Sequence, residues 1–575
     1  MIEYVYNTLR NGLRKLDMKL ERAKYGYIEK LPKNIKYFDG GMYDAIYESS
    51  CKWPHNTAFQ YFNVEVTYKE MIKKINKVAM SFKALGVEKG DRVTICMPNT
   101  PEAVYSFYAV NEIGAIANMI HPLSSEKEIE YYLNEADSKV MICIDVSFSK
   151  VEAIFKNTNL EKVVVVSPLR SMGAMVRTIY NLAKHTKHIK QTREVISWNK
   201  FMSLGSQFVG NPHARVNSDD PAVILYTGGT TGTPKGVVLT NMNFNAQALG
   251  GKYLVSDILK QKNSMLTFLP NFHAFGLGVC THVPFYNGMK IVLIPQFNAK
   301  KLKSYIKKYK INILVGVPAV FEYLKTLKLK KNDLKRIRGA VSGGDIVSEV
   351  TKQEINDFLK AHGSSAVLRN GYGLTESTGG VVFSTIEAAF GADTVGYPLP
   401  DSEVIIIDPK THKEVPLGKD GEIAIRGLTV MKGYYNRPKE TAEAFATVKG
   451  KKYLKTGDIG YVDKKGIVHF VTRLKRIIIT NGYNVYPTTI ESVTSKCKLV
   501  SKCTCVGVHD KTRGEKVKIF IILKPNASER AAKKELTKIY KQYLAKYEIP
   551  RDIAFLDSFP QTKMNKVDFR ALQNM

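Results

Sequence analysis

One short segment, residues 226–236 with the sequence YTGGTTGTPKG, constrains this chain more than any other. It stands between two uninterrupted apolar runs, residues 222–225 and 237–239, and each run is typical of a buried strand. Glycines let a backbone approach an anion closely, and their N–H groups, the threonine hydroxyls and one lysine supply donors and charge. The segment therefore predicts a strand–loop–strand unit that holds a polyphosphate.

The loop is not of the P-loop type found in kinases and GTPases. The spacing G-x-x-x-x-G-K-[ST] is absent, and the residues after Lys235 continue as a strand rather than opening a helix. An ordinary Gly/Thr hairpin remains the alternative for a single motif of this kind. Further motifs elsewhere in the chain are needed to decide between a polyphosphate loop and an ordinary hairpin.

Length and pattern indicate an α/β protein of more than one domain. A chain of 575 residues exceeds what one hydrophobic core supports. From Tyr68 onward, helical and strand patterns alternate: a helix to about Leu85, a strand at 92–97, and a helix that begins at Pro101. Such alternation predicts layers of helices on a sheet.

The net charge of +32, from 85 basic and 53 acidic residues, leaves three explanations open. The charge could bind nucleic acid, it could attract ATP, CoA and anionic lipid, or it could reflect a lysine-rich composition that has no function. No nucleic-acid-binding motif supports the first, and no nucleic-acid partner is expected. Residues 167–193 predict a basic amphipathic helix, either solvated or lying on an anionic membrane. The basic segments 300–310 and 325–338 predict solvated helix faces.

Seven scattered cysteines suit a reducing compartment and argue against a disulfide framework. Cys503 and Cys505 are expected to line one face of a strand, because their spacing with Cys497 is poor for zinc. No apolar run approaches the roughly 18–20 residues of a membrane span, and the N-terminus lacks the apolar core of a secretory signal. The chain is expected to be cytoplasmic, with peripheral contact at the inner membrane surface as an open alternative.

Further chemistry-bearing segments follow the loop along the chain. They are LPNFHAFG at 269–276, VSGGD at 341–345, RNGYGLTES at 369–377, GEIAIRG at 421–427, KTGD at 455–458, RLK at 473–475, NGYNVYP at 481–487 and PQTKMNKVD at 560–568. Any one of them has a structural explanation: a lone His273 is more often a core or surface histidine, and Lys566 is one lysine among many. Their joint occurrence in this order overturns those explanations.

In order and spacing the set resembles the acyl-adenylate-forming superfamily of AMP-dependent synthetases and ligases, most closely the fatty-acyl-CoA synthetases. The resemblance covers about residues 45–575. It implies an α/β fold with a large N-terminal domain of several subdomains and a small mobile C-terminal α/β domain. The expected division is a basic helix and linker at 1–44, the adenylation domain at 45–472 and the small domain at 473–575, with a hinge near Lys475.

The resemblance also implies site residues. Tyr372 is expected against adenine, Thr375 near the α-phosphate, Glu376 on Mg²⁺ and Asp458 on the ribose hydroxyls. The chemistry suits these roles, because a flat ring fits a purine and a carboxylate fits a hard cation or a pair of hydroxyl donors. The residues expected in catalysis are Lys566, Glu376, Thr230 and His273. The residues expected to bind ATP or CoA are Thr227, Gly228, Gly229, Thr231, Gly232, Lys235, Gly343, Gly344, Asn370, Gly371, Tyr372, Gly373, Thr375, Asp458, Arg473, Lys475, Gly482 and Tyr483.

Three positions depart from the superfamily's pattern. Thr472 stands where glycine often precedes Arg473, and Thr489 stands where glutamate usually follows the tyrosine-proline pair. Asn565 replaces the usual glycine before Lys566. Asparagine tolerates a left-handed backbone better than other non-glycine residues, so we expect the turn at 565 to survive.

The implied reaction uses ATP, Mg²⁺ and CoA to convert a carboxylic acid, expected to be a fatty acid, into acyl-AMP and then acyl-CoA. A first alternative keeps the adenylation but loads a separate carrier protein. A second is an inactive nucleotide-binding homologue, against which the retention of Glu376, Asp458, Arg473 and Lys566 argues.

Overall fold

The computed structural model describes residues 35–167, 171, 191–227, 234–345, 347, 349–386, 391, 394–480, 483–510, 514–545, 547–561 and 567–575. Several predictions lie outside these residues. They concern the N-terminal helix, most of the basic segment 167–193, and Gly228, Gly229, Thr230, Thr231, Gly232, Gly482 and Lys566.

Residues 42–227 alternate helices and strands, as the pattern predicts. The elements are α1 (Met42–Lys52), β1 (Thr57–Tyr61), β2 (Val64–Thr67), α2 (Tyr68–Ala84), β3 (Arg92–Cys96), α3 (Pro101–Glu112), β4 (Ile116–Met119), α4 (Glu126–Ala136), β5 (Val140–Ile144), α5 (Asp145–Ile154), β6 (Lys162–Val166), β7 (Val195–Ser197), α6 (Trp198–Gly205) and β8 (Pro221–Thr227). Helix α2 begins at a reciprocal cap, where Thr67 Oγ1 accepts from the Glu70 amide and the Glu70 carboxylate accepts from the Thr67 amide. Thr100 caps α3, and Pro101 supplies its first residue.

Residues 235–398 continue the alternation and then turn to antiparallel strands. The elements are β9 (Lys235–Thr240), α7 (Asn241–Leu254), β10 (Ser264–Thr267), a π-helical turn (Phe275–His282), α8 (Val283–Tyr286), β11 (Lys290–Leu293), α9 (Leu302–Lys308), β12 (Ile313–Gly316), α10 (Pro318–Lys325), β13 (Gly339–Gly343), α11 (Glu349–Ala361), β14 (Leu368–Tyr372), β15 (Val382–Phe383) and β16 (Thr394–Pro398). Segment 325–338 was predicted to form a helix face, and this is wrong beyond Lys325, where α10 ends. It forms turns instead, anchored by main-chain bonds such as Leu334 N–H to His362 O at 3.1 Å.

Residues 402–473 are mostly antiparallel strands, and residues 478–573 form a separate small α/β unit. The first set is β17 (Ser402–Ile407), β18 (Gly421–Gly427), β19 (Gly433–Tyr434), α12 (Pro438–Glu443), β20 (Phe445–Val448), β21 (Lys451–Val462) and β22 (Val468–Arg473). The second set is β23 (Ile478–Thr480), β24 (Tyr483–Val485), α13 (Pro487–Thr494), β25 (Val500–Asp510), β26 (Gly514–Leu523), α14 (Glu529–Tyr543), β27 (Asp552–Phe555) and α15 (Phe569–Gln573). Cys503 and Cys505 lie two residues apart in β25, as predicted.

The described strands form three sheets. The first has the order β19-β9-β8-β4-β3-β5-β6-β7, and the second runs β17-β18-β21-β22-β16-β15-β14-β13-β12-β10-β11-β1-β2, with β20 on β21. The third, β24-β23-β26-β25 with β27 on β26, belongs to the small unit and has its own core around Ile490, Ile519 and Leu536. The predicted fold is confirmed: a large N-terminal α/β part and a small C-terminal α/β domain.

The second sheet changes from parallel to antiparallel pairing at β14. Strands β12, β13 and β14 are parallel, whereas β15 pairs antiparallel with β14. Among the parallel strands, the order β14-β13-β12-β10-β11 reverses between β10 and β12, and α/β sheets bind ligands beyond the carboxyl ends of the strands at such a reversal. Gly343 and Gly371, which pair with each other, lie at the carboxyl ends of β13 and β14. Among the described residues, no helix is long and apolar enough to cross a membrane.

Candidate active site

Strands β8 and β9 form the neck of the glycine-rich loop. Thr227 pairs with Lys235 across this antiparallel ladder, so both ends of the loop are held side by side. The apolar stretches of both strands are buried, which confirms the two strand predictions. On the outer side, the Tyr131 hydroxyl donates to the carbonyl of Pro234 at 2.8 Å. Main-chain pairing and the Tyr131 hydroxyl thus hold the two ends of the loop, at Thr227 and at Pro234–Lys235.

Tyr434 connects this base to Glu376. Its strand, β19, pairs with β9, and the ammonium of Lys235 lies 4.8 Å from the centroid of its ring. Its hydroxyl donates to Glu376 Oε1 at 2.9 Å. Burial, and then the charge of Glu376, raise the pKa of Tyr434 well above its ordinary value, so the phenol keeps its proton and remains a donor.

Arg437 supports the same region through Tyr131 and Glu135. Its guanidinium contacts the Glu135 carboxylate at 3.3 Å and receives support from Tyr131, whose hydroxyl lies 3.3 Å from Nη2. Sequence reasoning missed both Tyr434 and Arg437. Neither carries a spacing signal, because each acts through residues that are distant in the chain.

A second cluster surrounds Asp458, whose side chain is 1% exposed. The Tyr372 hydroxyl donates to Asp458 Oδ2 at 2.8 Å, and Arg473 Nε lies 3.0 Å from Oδ1. Asp458 and Arg473 face each other in the β21–β22 pair, so the hairpin itself sets their geometry. Burial raises the pKa of Asp458 to about 6, and the charges of Glu422 and Glu376 add to the rise, while Arg473 and Tyr372 oppose it. The structure thus brings Tyr372, Asp458 and Arg473 together.

Glycines lie beside Tyr372 at the ends of β13 and β14 and in the residues that follow. A side chain at Gly343 would place its Cβ 2.9 Å from the Phe275 ring, and one at Gly373 would come 2.7 Å from the amide nitrogen of Gly380. Gly344 follows in a left-handed conformation with φ +82°. Asn370 donates to the carbonyl of Thr394 at 2.8 Å, which joins the parallel and antiparallel parts of the sheet. The glycines thus allow the Phe275 ring and the main chain of Gly380 to pack closely beside Tyr372.

Glu376 sits in a tight turn at Thr375–Ser377 that packs against the His273 segment. A Cβ at Gly379 would lie 2.5 Å from the main chain of Ala274, so only glycine allows this approach. The His273 ring contacts Phe272 at 4.8 Å between centroids, and Phe272 contacts His121 at 4.5 Å. The structure therefore brings His273, Thr375 and Glu376 into one neighbourhood and adds His121, whose pKa burial lowers.

The predicted hinge lies at the other end of the site. Lys475 is exposed in a single turn, Leu474–Arg476, directly after Arg473. Arg476 is fixed by Glu491, with Nη2 2.6 Å from Oε1, and its guanidinium carbon lies 4.1 Å from the centroid of Phe569. Phe569 begins α15, three residues after Lys566, and the amide of Asp568 bonds to the carbonyl of Pro560 at 2.8 Å. The ends of the Lys566 segment are thus tied to the hinge turn, while Tyr483 lies across the sheet in β24.

The residues present suit Mg²⁺ held chiefly by phosphate. The described residues contain no group of three His, Cys, Asp or Glu side chains that could hold a metal ion by itself. Glu376 offers one carboxylate, oriented by Tyr434, close to the loop neck at Lys235. Mg²⁺ ordinarily takes one or two carboxylates and completes its shell with water and phosphate oxygens. This donor set fits a metal that arrives with a nucleotide.

Comparison with known proteins shows which family the chain belongs to. Residues 47–435 match the AMP-binding enzyme family, and residues 489–566 match the AMP-binding enzyme C-terminal domain. The chain is 30% identical over 550 residues to a long-chain-fatty-acid–CoA ligase of Bacillus subtilis, covering 95% of this chain and 96% of that protein.

Solved structures give the same fold. ATP-bound MatB from Rhodopseudomonas palustris superposes with a TM-score of 0.80 at 23% identity, covering 93% of this chain and 99% of that one. The anthranilate CoA ligase AuaEII, in complex with anthranoyl-AMP, gives 0.79 at 24% identity and covers 95% and 98%. Both similarities concern the fold. The family match and the Bacillus relative confirm the predicted family and enzyme class, and the chain belongs to the AMP-binding enzyme family of AMP-forming ligases.

Proposed function

We propose that this enzyme activates a fatty acid with ATP and transfers the acyl group to CoA, releasing AMP and pyrophosphate. The observation that carries the proposal is the chain of contacts from Lys235 through Tyr434 to Glu376. It joins the base of a polyphosphate loop to a carboxylate suited to Mg²⁺. The neighbouring Tyr372, Asp458 and Arg473 supply a ring, a buried carboxylate and a cation for the nucleoside part.

In the first half-reaction a carboxylate oxygen of the acid attacks the α-phosphorus of ATP. The bond from that phosphorus to the bridging oxygen breaks, and pyrophosphate leaves with its electron pair. The protein must hold two anions in line and shield the charge on phosphate. We assign this to the loop 227–236 with Thr230, to Glu376 as the Mg²⁺ ligand, and to Lys566. Mg²⁺, when bound, neutralises charge on the phosphate oxygens.

In the second half-reaction the CoA thiolate attacks the acyl carbonyl, and the carbon–oxygen bond to AMP breaks. We assign the nucleotide contacts of both halves to Asp458, Arg473 and Tyr372, and to the glycines at 343–344, 371 and 373 with Asn370 and Thr375. We assign the entrance for CoA to Gly482 and Tyr483 on the resemblance of residues 481–487. A rotation at Lys475 would exchange the Lys566 loop for this entrance, since both belong to the small domain.

An apolar acid is supported by the segment around His273, which resembles the segment that borders the acyl pocket in the superfamily. Phe272, Ala274, Leu277 and Val279 are buried there, and a side chain at Gly276 or Gly278 would collide with neighbouring atoms. The Bacillus subtilis relative is named for long-chain fatty acids, whereas AuaEII is named for anthranilate. Fatty acid is therefore our proposal for the substrate, and an aromatic acid is the competing one.

The acceptor is the second question. Free CoA is proposed because the NGYNVYP segment at 481–487 resembles the CoA entrance, and loading of a separate carrier protein is the alternative. Contact of residues 167–193 with an anionic membrane also stays a proposal. Liposome binding before and after deletion of residues 170–190 tests it, and unchanged binding to anionic vesicles would reject it.

The decisive experiment is ATP–pyrophosphate exchange with acetate, octanoate, palmitate, benzoate and anthranilate, followed by thioester formation with free CoA. We expect the highest exchange with a fatty acid, and a thioester only when CoA is added. Glu376→Gln should lose exchange, while the matched change at the exposed Glu443 should keep it. Exchange without thioester would indicate the carrier-protein alternative. Absence of exchange with every acid would reject the enzymatic proposal.

A further inference from the structure

The surface formed by residues 300–338 is far more basic than the rest of the chain. It holds thirteen lysines and arginines and two acidic residues, whereas the whole chain has 85 and 53. Thirty-nine positions thus carry about a third of the net charge. A uniformly lysine-rich composition would spread that charge along the chain, so it does not explain this concentration.

These residues form one continuous surface, which we call the basic face. Helix α9 lies beside the turn segment 326–338: the ammonium of Lys303 donates to the carbonyl of Lys328 at 2.6 Å, and Lys307 pairs with Asp333 at 3.0 Å. Lys303 also contacts Asp333, at 3.6 Å. The sequence segments 300–310 and 325–338, predicted as separate helix faces, therefore meet in the folded protein.

The two acidic residues of the face are already engaged. Asp333 lies between Lys303 and Lys307, and Glu322 pairs with Lys502 of the small domain at 2.8 Å. Lys325 pairs with Glu354 outside the face. The cations whose residues are exposed include Lys308, Lys328, Lys330, Lys331 and Lys335. An array of this density attracts a surface of opposite charge.

The composition of the face favours lipid headgroups over nucleic acid. Eleven of its thirteen cations are lysines, which act as flexible point charges, whereas nucleic-acid readers rely on arginine forks and exposed aromatic rings. The rings nearby are used internally: Phe297 stacks on Phe268 at 4.2 Å between centroids, and Tyr305 stacks on Tyr309 at 6.3 Å. We propose that the basic face docks the enzyme on an anionic lipid membrane. The choice of lipid rests in part on the proposed function, since a fatty acid partitions into membranes.

The topology separates docking from catalysis. Lys310 and Arg338 lie just before β12 and β13, at the amino ends of these parallel strands. Gly343 and the candidate site lie at the carboxyl ends. Neutralising the face should therefore leave the reaction of a water-soluble acid unchanged, which allows the docking proposal and the proposed function to fail separately.

The test compares two variants of equal net charge in the full chain. The face variant changes Lys308, Lys328, Lys330, Lys331 and Lys335 to Gln. The control variant also changes five exposed lysines to Gln. They lie near the β17 end of the second sheet, and they are Lys410, Lys413, Lys419, Lys464 and Lys465. Binding is measured by co-sedimentation with vesicles of phosphatidylcholine alone and with one-third phosphatidylglycerol, in 0.1 M salt. ATP–pyrophosphate exchange with octanoate is measured in parallel.

We expect the parent and the control variant to bind the anionic vesicles and the face variant to bind at least tenfold more weakly. Each lysine at such a surface contributes about fivefold, and not all five touch it together. Exchange should be equal in all three proteins. Equal vesicle binding by the two variants would overturn the proposal. Tighter binding of double-stranded RNA than of vesicles through the same five lysines would also overturn it, in favour of nucleic acid.

Discussion

The Tyr434 hydroxyl donates a 2.9 Å hydrogen bond to Glu376 Oε1, while the ammonium of Lys235 lies over the same ring. One side chain thus holds the proposed Mg²⁺ ligand and the end of the phosphate loop at a fixed separation. Tyr434 reaches this place because β19 pairs with β9, about 200 residues earlier in the chain. The relationship makes Tyr434 a positioning residue for Glu376.

Tyr434→Phe keeps the ring under Lys235 and removes the hydrogen bond to Glu376. Hydrogen bonds to charged groups contribute about 1.5–3 kcal/mol, so we expect the Mg²⁺ concentration for half-maximal exchange to rise about tenfold or more. A Mg²⁺ titration at saturating ATP measures it, with Tyr435→Phe as the matched control. A variant with an unchanged Mg²⁺ midpoint would show that the hydroxyl has only a structural role.

Asp458→Asn should raise the KM for ATP by about tenfold to a hundredfold, because a carboxylate accepts hydrogen bonds from both ribose hydroxyls and an amide does not.

The pKa of Asp458 is raised to about 6, so the carboxylate takes up a proton as the pH falls through that value. We therefore expect the KM for ATP to rise below about pH 6 in the parent enzyme. ATP itself takes up a proton nearby, so the readout is the difference between the parent and Asp458→Asn from pH 5 to 8. An exposed control, Asp557→Asn, should follow the parent. Equal pH dependence in parent and Asp458→Asn would contradict the assignment.

Lys566→Ala should lower acyl-AMP formation by on the order of a hundredfold or more. The change removes the positive charge that stabilises the negative charge developing on the phosphate. Formation of the thioester from preformed acyl-AMP should largely persist, because pyrophosphate is no longer present in that half. Single-turnover measurements of each half separate the two rates. Lys563→Ala, in the same loop, is the matched control. Equal loss in both halves would contradict this division of labour.

Arg476→Gln should slow acyl-AMP formation about fivefold, because Arg476 joins the hinge turn to Glu491 and Phe569 beside the Lys566 segment. Phe569→Leu should have a similar effect. In the double variant the two losses should not multiply, because both remove the same contact, and a double-mutant cycle on the single-turnover rate measures this coupling. The exposed Arg551→Gln serves as the control. Independent, multiplicative losses would show that the contact does not couple the hinge to the loop.

Glu112→Gln should stabilise the fold at high pH. Glu112 is buried beneath α1, with the Asn76 amide donating to Oε1 at 2.7 Å. Burial raises its pKa to about 8, partly offset by Tyr43 and increased by Asp44. The folded state therefore binds the proton more tightly than the unfolded chain, and stability falls as the pH rises from about 4.5 to about 8.

The glutamine variant lacks this loss, so its free energy of unfolding at pH 8.5 should exceed that of the parent by a few kcal/mol, on the order of 2–4. At pH 5 the two proteins should be nearly equal. Thermal unfolding at both pH values measures the difference, with the exposed Glu48→Gln as control. The same shift in Tm at pH 5 and pH 8.5 would count against a buried, titrating Glu112.

Much of the fold could be predicted because its signals are local. The apolar runs at 222–225 and 237–239 predicted β8 and β9, and the helical pattern from Tyr68 to about Leu85 predicted α2. The prediction for 326–338 was wrong because basic composition alone does not specify a helix. Packing against the His362 region and α9 decides that segment's path instead.

The candidate site likewise contains residues that local motifs predicted and residues that only the structure revealed. Motif order placed Tyr372, Glu376, Asp458 and Arg473 in one proposed site, and the structure brings Tyr372, Asp458 and Arg473 into direct contact. The sequence did not predict four residues of the site, because nothing in their local sequence distinguishes them from other tyrosines, arginines and histidines. They are Tyr434, Arg437, His121 and Arg476. Each acquires its place through a partner far away in the chain.

The sequence by itself determined the α/β class, the family and the chemistry that the motifs can supply. These depend on residue types at short spacing, which survive without knowledge of the fold. Only the tertiary structure decided how Glu376 is oriented, that Asp458 is buried enough to raise its pKa, and that two lysine-rich segments merge into one face. Orientation, desolvation and the summed field of neighbouring charges arise only when distant segments are packed together.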